Sequence, residues 1–113
     1  MTDTATLDRV FSALADPGRR MMVERLCRHP ASVKELAGPA GMGLPSALKH
    51  LRVLEEGGIV VSTKAGRVRT YAISPNAFGA IERWVREREA VLNAAFDRLE
   101  HAMLECPEEE ELP

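Results

Sequence analysis

The chain has 113 residues, 45% of them hydrophobic and 28% charged, with a formal net charge of −2; this is the size and texture of one globular domain. No run of 18 apolar residues is present, which excludes a membrane-spanning helix. Aromatic residues, at 4%, are too few for a stacking platform for single-stranded nucleic acid.

The charge is unevenly placed. Residues 1–73 hold 11 Lys and Arg against 7 Asp and Glu, a balance of +4, while residues 74–113 hold 4 against 10, a balance of −6. A basic front points to a polyanion as partner for that part alone. The opening MTDTATLDRV has neither the basic head nor the apolar segment of a secretory signal, and two cysteines 79 positions apart make no disulfide scaffold. A cytoplasmic protein without a membrane partner is therefore expected. The run Pro107-Glu108-Glu109-Glu110-Glu111 reads as solvated chain, so one domain is expected over residues 1–105 and an acidic disordered tail over 106–113.

In chain order, Leu7, Val10, Phe11 and Leu14 recur at helical spacing. Asp16-Pro17 stops that helix and opens a second, with Asp as cap and Pro at the first helical position. The second helix carries Met22, Val23, Leu26 and Cys27 on one stripe and ends before Pro30. Ser32-Val33-Lys34-Glu35 is a capping box opening a third, short helix, which Gly38-Pro39 is expected to break. After the turn Gly41-Met42-Gly43, Leu44-Pro45 opens a fourth helix that runs to the stop Gly57-Gly58. Two short helices around a glycine turn outline a helix-turn-helix. The β-branched runs 59–63 and 68–73, joined by Lys64-Ala65-Gly66-Arg67, predict a β-hairpin. Ser74-Pro75 is read as the start of a last helix of about 30 residues, roughly 45 Å long. Its stripe of Ile81, Trp84, Val85, Val91, Leu92, Phe96, Leu99 and Met103 exceeds the needs of one small core. A second copy of the chain is the expected cover.

The fourth helix has two faces. Ala47, Leu51 and Leu54 point to the core; Pro45, Leu48, Lys49 and Arg52 lie opposite, with Ser46 beside them. Cations mixed with an apolar side chain suit phosphates and base edges of a major groove. Lys64, Arg67 and Arg69 make the hairpin a basic wing for the sugar–phosphate backbone or the minor groove. Lys34, in the first turn of the third helix, is expected to touch the backbone. The fold class expected is mainly α with a β-hairpin wing (α+β), a winged helix-turn-helix bound to double-stranded DNA.

Several segments resemble the ArsR/SmtB family of winged-helix repressors: Leu14-Ala15-Asp16-Pro17-Gly18-Arg19-Arg20, Leu36-Ala37, the run LPSALKHLRVLE from Leu44 to Glu55, Gly58-Ile59-Val60, and GRVRTY from Gly66 to Tyr71. The resemblance spans residues 5 to about 105. It implies a homodimer built on the first and last helices, repression of nearby genes at an inverted-repeat operator, and release by a signal in some members. Leu7, Phe11, Trp84, Leu92, Phe96 and Leu99 are the interface residues expected from the apolar pattern.

The family's metal-sensing patterns are not matched. The segment SVKELAG at 32–38 has no cysteine, and the last helix offers only His101 with Glu100 and Glu105 nearby, short of the three or four ligands zinc takes. No metal and no cofactor are expected, and no inducer is identified. Cys27 is read as a small core residue and Cys106 as the end of the last helix. His29, His50 and His101 lie in no nucleophile motif, and Gly41-Met42-Gly43 lacks the rest of a phosphate loop, so an enzyme is not expected. Two alternatives remain: a winged-helix module for an acidic protein partner, and a repressor that senses metal or thiol chemistry.

Overall fold

The computed structural model describes residues 4–105. The helices are α1 (Thr4–Leu14), α2 (Pro17–Leu26), α3 (Val33–Ala40), α4 (Leu44–Glu56) and α5 (Gly79–Glu105). The strands are β1 (Ala31–Ser32), β2 (Val60–Ala65) and β3 (Val68–Ile73), in one antiparallel sheet of order β1-β3-β2. The chain divides into two compact units, one up to Ile81 and one from Glu82 onward.

In the first unit, the corner between α1 and α2 explains the run LADPGRR. Asp16 caps α2 by accepting the Arg19 N–H at 3.0 Å. The Arg19 guanidinium then reaches back to the Ala13 carbonyl at 2.6 Å and the Ser12 carbonyl at 3.1 Å, and Arg20 reaches the Leu14 carbonyl at 2.7 Å. The last carbonyls of a helix have no partner within it, and here two arginines of the next helix supply one. The core below is built from Val10 and Ala13 of α1, Met22 and Leu26 of α2, Leu36 of α3, Leu51 and Leu54 of α4, and Ile59, Val60 and Tyr71 around the sheet.

The structure departs from the sequence reading in five places. Gly38-Pro39 does not break α3, which continues to Ala40 with Pro39 inside it. Gly41 ends it instead, at φ 67°, where the left-handed region costs glycine nothing. The wing's turn is only Gly66-Arg67, because Lys64 and Ala65 pair with Arg69 and Val68 as part of β2. Gly66 at φ 65° and a negative φ at Arg67 have the signs of a type II′ hairpin turn. Strand β1, too short to show a period of two, pairs Ala31 with Tyr71 and Ser32 with Thr70. Ser74-Pro75 opens two successive turns, closed by Ala77 N–H to Ser74 C=O and Gly79 N–H to Asn76 C=O, and α5 starts only at Gly79. Cys27 is exposed rather than buried, since it is the C-cap of α2, one residue past the Leu26 that closes the apolar stripe. Cys106 and the acidic run lie outside the described residues.

The second unit is helical. Helix α5, 27 residues in all, has no fully buried residue, and Leu92, Phe96, Leu99 and Met103 are all more than half exposed. The Arg88 guanidinium lies 5.0 Å from the Trp84 ring centroid. Among the described residues no helix is long and apolar enough to cross a membrane.

Candidate nucleic-acid interface

Helix α3 is anchored by a complete capping box. Glu35 N–H donates to Ser32 Oγ at 3.3 Å, and the Ser32 N–H donates to Glu35 Oε1 at 2.9 Å. The backbone bond from Ser32 holds the Glu35 carboxyl below its ordinary pKa. Helix α4 starts at Gly43 with no side-chain cap and Pro45 in its first turn. Its first-turn N–H groups are therefore left for an outside acceptor.

Helix α4 presents the two faces its sequence predicts. Ala47, Leu51 and Leu54 are wholly buried. Pro45, Ser46, Lys49 and Arg52 are exposed, and Leu48 is 45% exposed between them. Leu48 also lines a cleft of about 370 Å³ that faces the wing. Lys34 of α3 and Arg67 and Arg69 of the wing line the same cleft, so four of the expected residues converge on one place. Lys64 is not among the lining residues; it stands opposite Arg69 in the β2–β3 register. No described carboxylate lies within 4.0 Å of Lys34, Lys49, Arg52, Lys64 or Arg67. Like-charged residues directly opposite on a ladder repel, and an anion laid across them relieves that repulsion.

Two features of the site escaped the sequence. His50 flanks the exposed face of α4, with Nε2 3.8 Å from Asp16 Oδ2 and Nδ1 3.4 Å from the Arg19 guanidinium. The Asp16 carboxyl is held below its ordinary pKa chiefly by the Arg19 backbone N–H, with His50 contributing. The second feature ties the wing to α4: Arg69 Nη1 donates to Ser62 Oγ at 2.9 Å, and Ser62 donates to Glu55 Oε2 at 3.0 Å. Behind that chain, Tyr71 is buried, and burial together with the Glu55 charge pushes its hydroxyl pKa up. Spacing along one strand or helix carries no signal for either contact.

Among the described residues no group of three or more His, Cys, Asp or Glu side chains is placed to hold a metal ion. His101 Nε2 lies 3.0 Å from Glu105 Oε2 as an exposed pair one turn apart.

A short helix, a glycine turn, a second helix with one wet basic face, and a cationic hairpin define a winged helix-turn-helix domain. A helix-turn-helix domain model matches residues 14–63. The chain is 39% identical over 74 residues to the HTH-type transcriptional regulator Rv2034 of Mycobacterium tuberculosis, covering 66% of this chain and 69% of that protein. Its fold is similar to the crystal structure of an ArsR family transcriptional regulator, with a TM-score of 0.76 and 44% identity over 81% of this chain and 95% of the other. It is also similar to the solution structure of a homodimeric winged helix-turn-helix DNA-binding domain, Mb0332 of Mycobacterium bovis, at a TM-score of 0.59 and 30% identity over 86% of this chain and 84% of that one. The chain belongs to the ArsR family of helix-turn-helix transcriptional regulators. Such proteins bind DNA and are not enzymes.

Proposed function

We propose that this protein is a homodimeric repressor that binds an inverted-repeat operator near the genes it controls. The observation that carries the reading is the convergence of Lys34, Leu48, Arg67 and Arg69 on one cleft, with no carboxylate within 4.0 Å of Lys34 or Arg67 among the described residues. In this account Pro45, Ser46, Leu48, Lys49 and Arg52 enter the major groove. Lys34 and the wing cations Lys64, Arg67 and Arg69 take phosphates or the minor groove edge. Leu48 has no hydrogen-bonding group, so its contact with a base is apolar, and the C5-methyl of thymine is the apolar feature of the major groove.

Self-association is supported by α5, where Trp84, Leu92, Phe96 and Leu99 are all exposed. Phe11 of α1 is also exposed and Leu7 is half-buried. A second copy of this chain covers these side chains, and the two-fold symmetry of the dimer reads a two-fold symmetric site. Binding-site selection with the purified protein tests the reading. An inverted repeat with half-sites a whole number of helical turns apart supports it, together with raised expression of the adjoining genes on deletion. A single unrepeated site, or lowered expression, contradicts it.

A further inference from the structure

Leu48 and Val68 are 45% and 56% exposed, yet both face the same cleft, with Val33 and Tyr71 on its walls. The cleft, about 370 Å³, falls within the range of small-molecule sites. Its charged lining is all of one sign: Lys34, Arg67 and Arg69, with no acidic residue among the lining side chains. Arg69 is held toward Ser62 by the bond to its Oγ, and the Glu55 carboxylate behind is engaged by the same serine. Lys34 and Arg67 have no carboxylate within 4.0 Å among the described residues.

We propose that this cleft between α4 and the wing binds a small amphipathic anion, specifically a medium-chain fatty carboxylate. The apolar chain covers Leu48, Val33 and Val68 and removes their surface from water. The carboxylate meets the guanidinium of Arg67, which suits a two-point carboxylate contact, with Lys34 adding a point charge. A cation is repelled by the same lining, and a neutral alcohol of equal length gains the apolar contact without the charge. The bound carboxylate occupies the side chains that the DNA-binding reading assigns to phosphates and bases, so ligand and operator exclude each other. That regulatory consequence rests on the DNA-binding reading; the site itself does not.

The test is a methyl-resolved NMR titration of the full chain with decanoate and, in parallel, with decanol, both below micelle-forming concentrations. Saturable shifts of the Leu48, Val33 and Val68 methyls with decanoate, at least tenfold weaker with decanol, support the site. A Lys34→Ala/Arg67→Ala variant with an otherwise unchanged spectrum should bind decanoate at least tenfold more weakly, and Arg67→Lys alone should fall between. No saturable shift at millimolar decanoate overturns the proposal. So does equal response to decanol, or a response confined to the Val91, Leu92 and Leu99 methyls of α5. A random-sequence duplex is titrated separately without decanoate. Duplex binding without decanoate binding overturns the carboxylate site and leaves the DNA reading standing. Decanoate binding without duplex binding does the reverse.

Discussion

Lys64 and Arg69 stand directly opposite one another on the two strands of the wing. Both are exposed, neither has a carboxylate within 4.0 Å among the described residues, and Arg69 has only the neutral Ser62 hydroxyl. Facing like charges destabilise an antiparallel pair, whereas facing opposite charges stabilise it by about 0.2–1 kcal/mol. Lys64→Glu converts repulsion into attraction, so thermal unfolding of the free protein should move up by that small amount. DNA affinity should fall in the same variant. A variant with lower stability, or with unaltered DNA affinity, would show that the pair is not a phosphate clamp.

Gly57 marks a close approach between α4 and α1. A Cβ there would lie 3.1 Å from the Ala13 Cβ and 3.2 Å from the Arg9 carbonyl oxygen. Ala13 is wholly buried and the other atom is backbone, so α1 itself has to move. Gly57→Ala should cost about 1–3 kcal/mol, the usual range for overpacking. Denaturant unfolding measures it, and a neutral result would mean that α1 is free to slide.

The exposed stripe of α5 should be the seam of the dimer. Phe96, 58% exposed, lies centrally among these residues. Phe96→Asp puts a charge into an apolar interface, at a cost of several kcal/mol unless it is neutralised. Sedimentation should then give a monomer or aggregate. A dimer of unchanged stability would move the interface elsewhere.

Acid should weaken the first unit through Asp16 and Glu35. Both carboxyls titrate below their unfolded values of 3.8 and 4.5 because each accepts backbone N–H bonds at a helix start. Their stabilisation is therefore complete above those values and is lost as pH falls through the lower folded ones. An Asp16→Asn/Glu35→Gln variant keeps the acceptors and loses the charge. Its deficit in Tm should be constant near neutral pH and shrink at acid pH. A deficit that does not vary with pH would deny the charges a role.

The parts of the fold with a strong period were legible in the sequence. Ala47, Leu51 and Leu54 against Leu48 and Arg52 give the two faces of α4 from spacing alone, and Asp16-Pro17 gives the start of α2. What failed depended on contacts distant in sequence. Pro39 sits inside α3, and it is the left-handed Gly41 that ends the helix. The two-residue strand β1 exists only because β3 lies beside it. Cys27 obeys the helical period but falls just beyond the last packed turn. In the site, the cations were legible as charge, whereas the bridge from Arg69 through Ser62 to Glu55 joins three elements that only folding brings together.

Leu48 and Leu51, one turn apart on α4, separate reading from folding. Leu51 is wholly buried, so Leu51→Ala should cost about 2–5 kcal/mol of stability. Leu48→Ser should leave stability nearly unchanged and lower operator affinity by about 1–3 kcal/mol per misread base pair, with little effect on random DNA. Equal site preferences for wild type and Leu48→Ser would assign Leu48 to local packing.

Fluorescence anisotropy on the gene's own upstream duplex tests the claim that the basic face of α4 and the wing bind DNA. Wild-type protein and an Arg67→Ala/Arg69→Ala variant are titrated over a series of salt concentrations with competitor DNA present. Wild type should bind in the presence of competitor, with log affinity falling linearly in log salt. The variant should bind more weakly with a slope shallower by about one unit per lost phosphate contact per subunit. No binding at micromolar wild-type protein, or identical slopes for the two proteins, would contradict the claim.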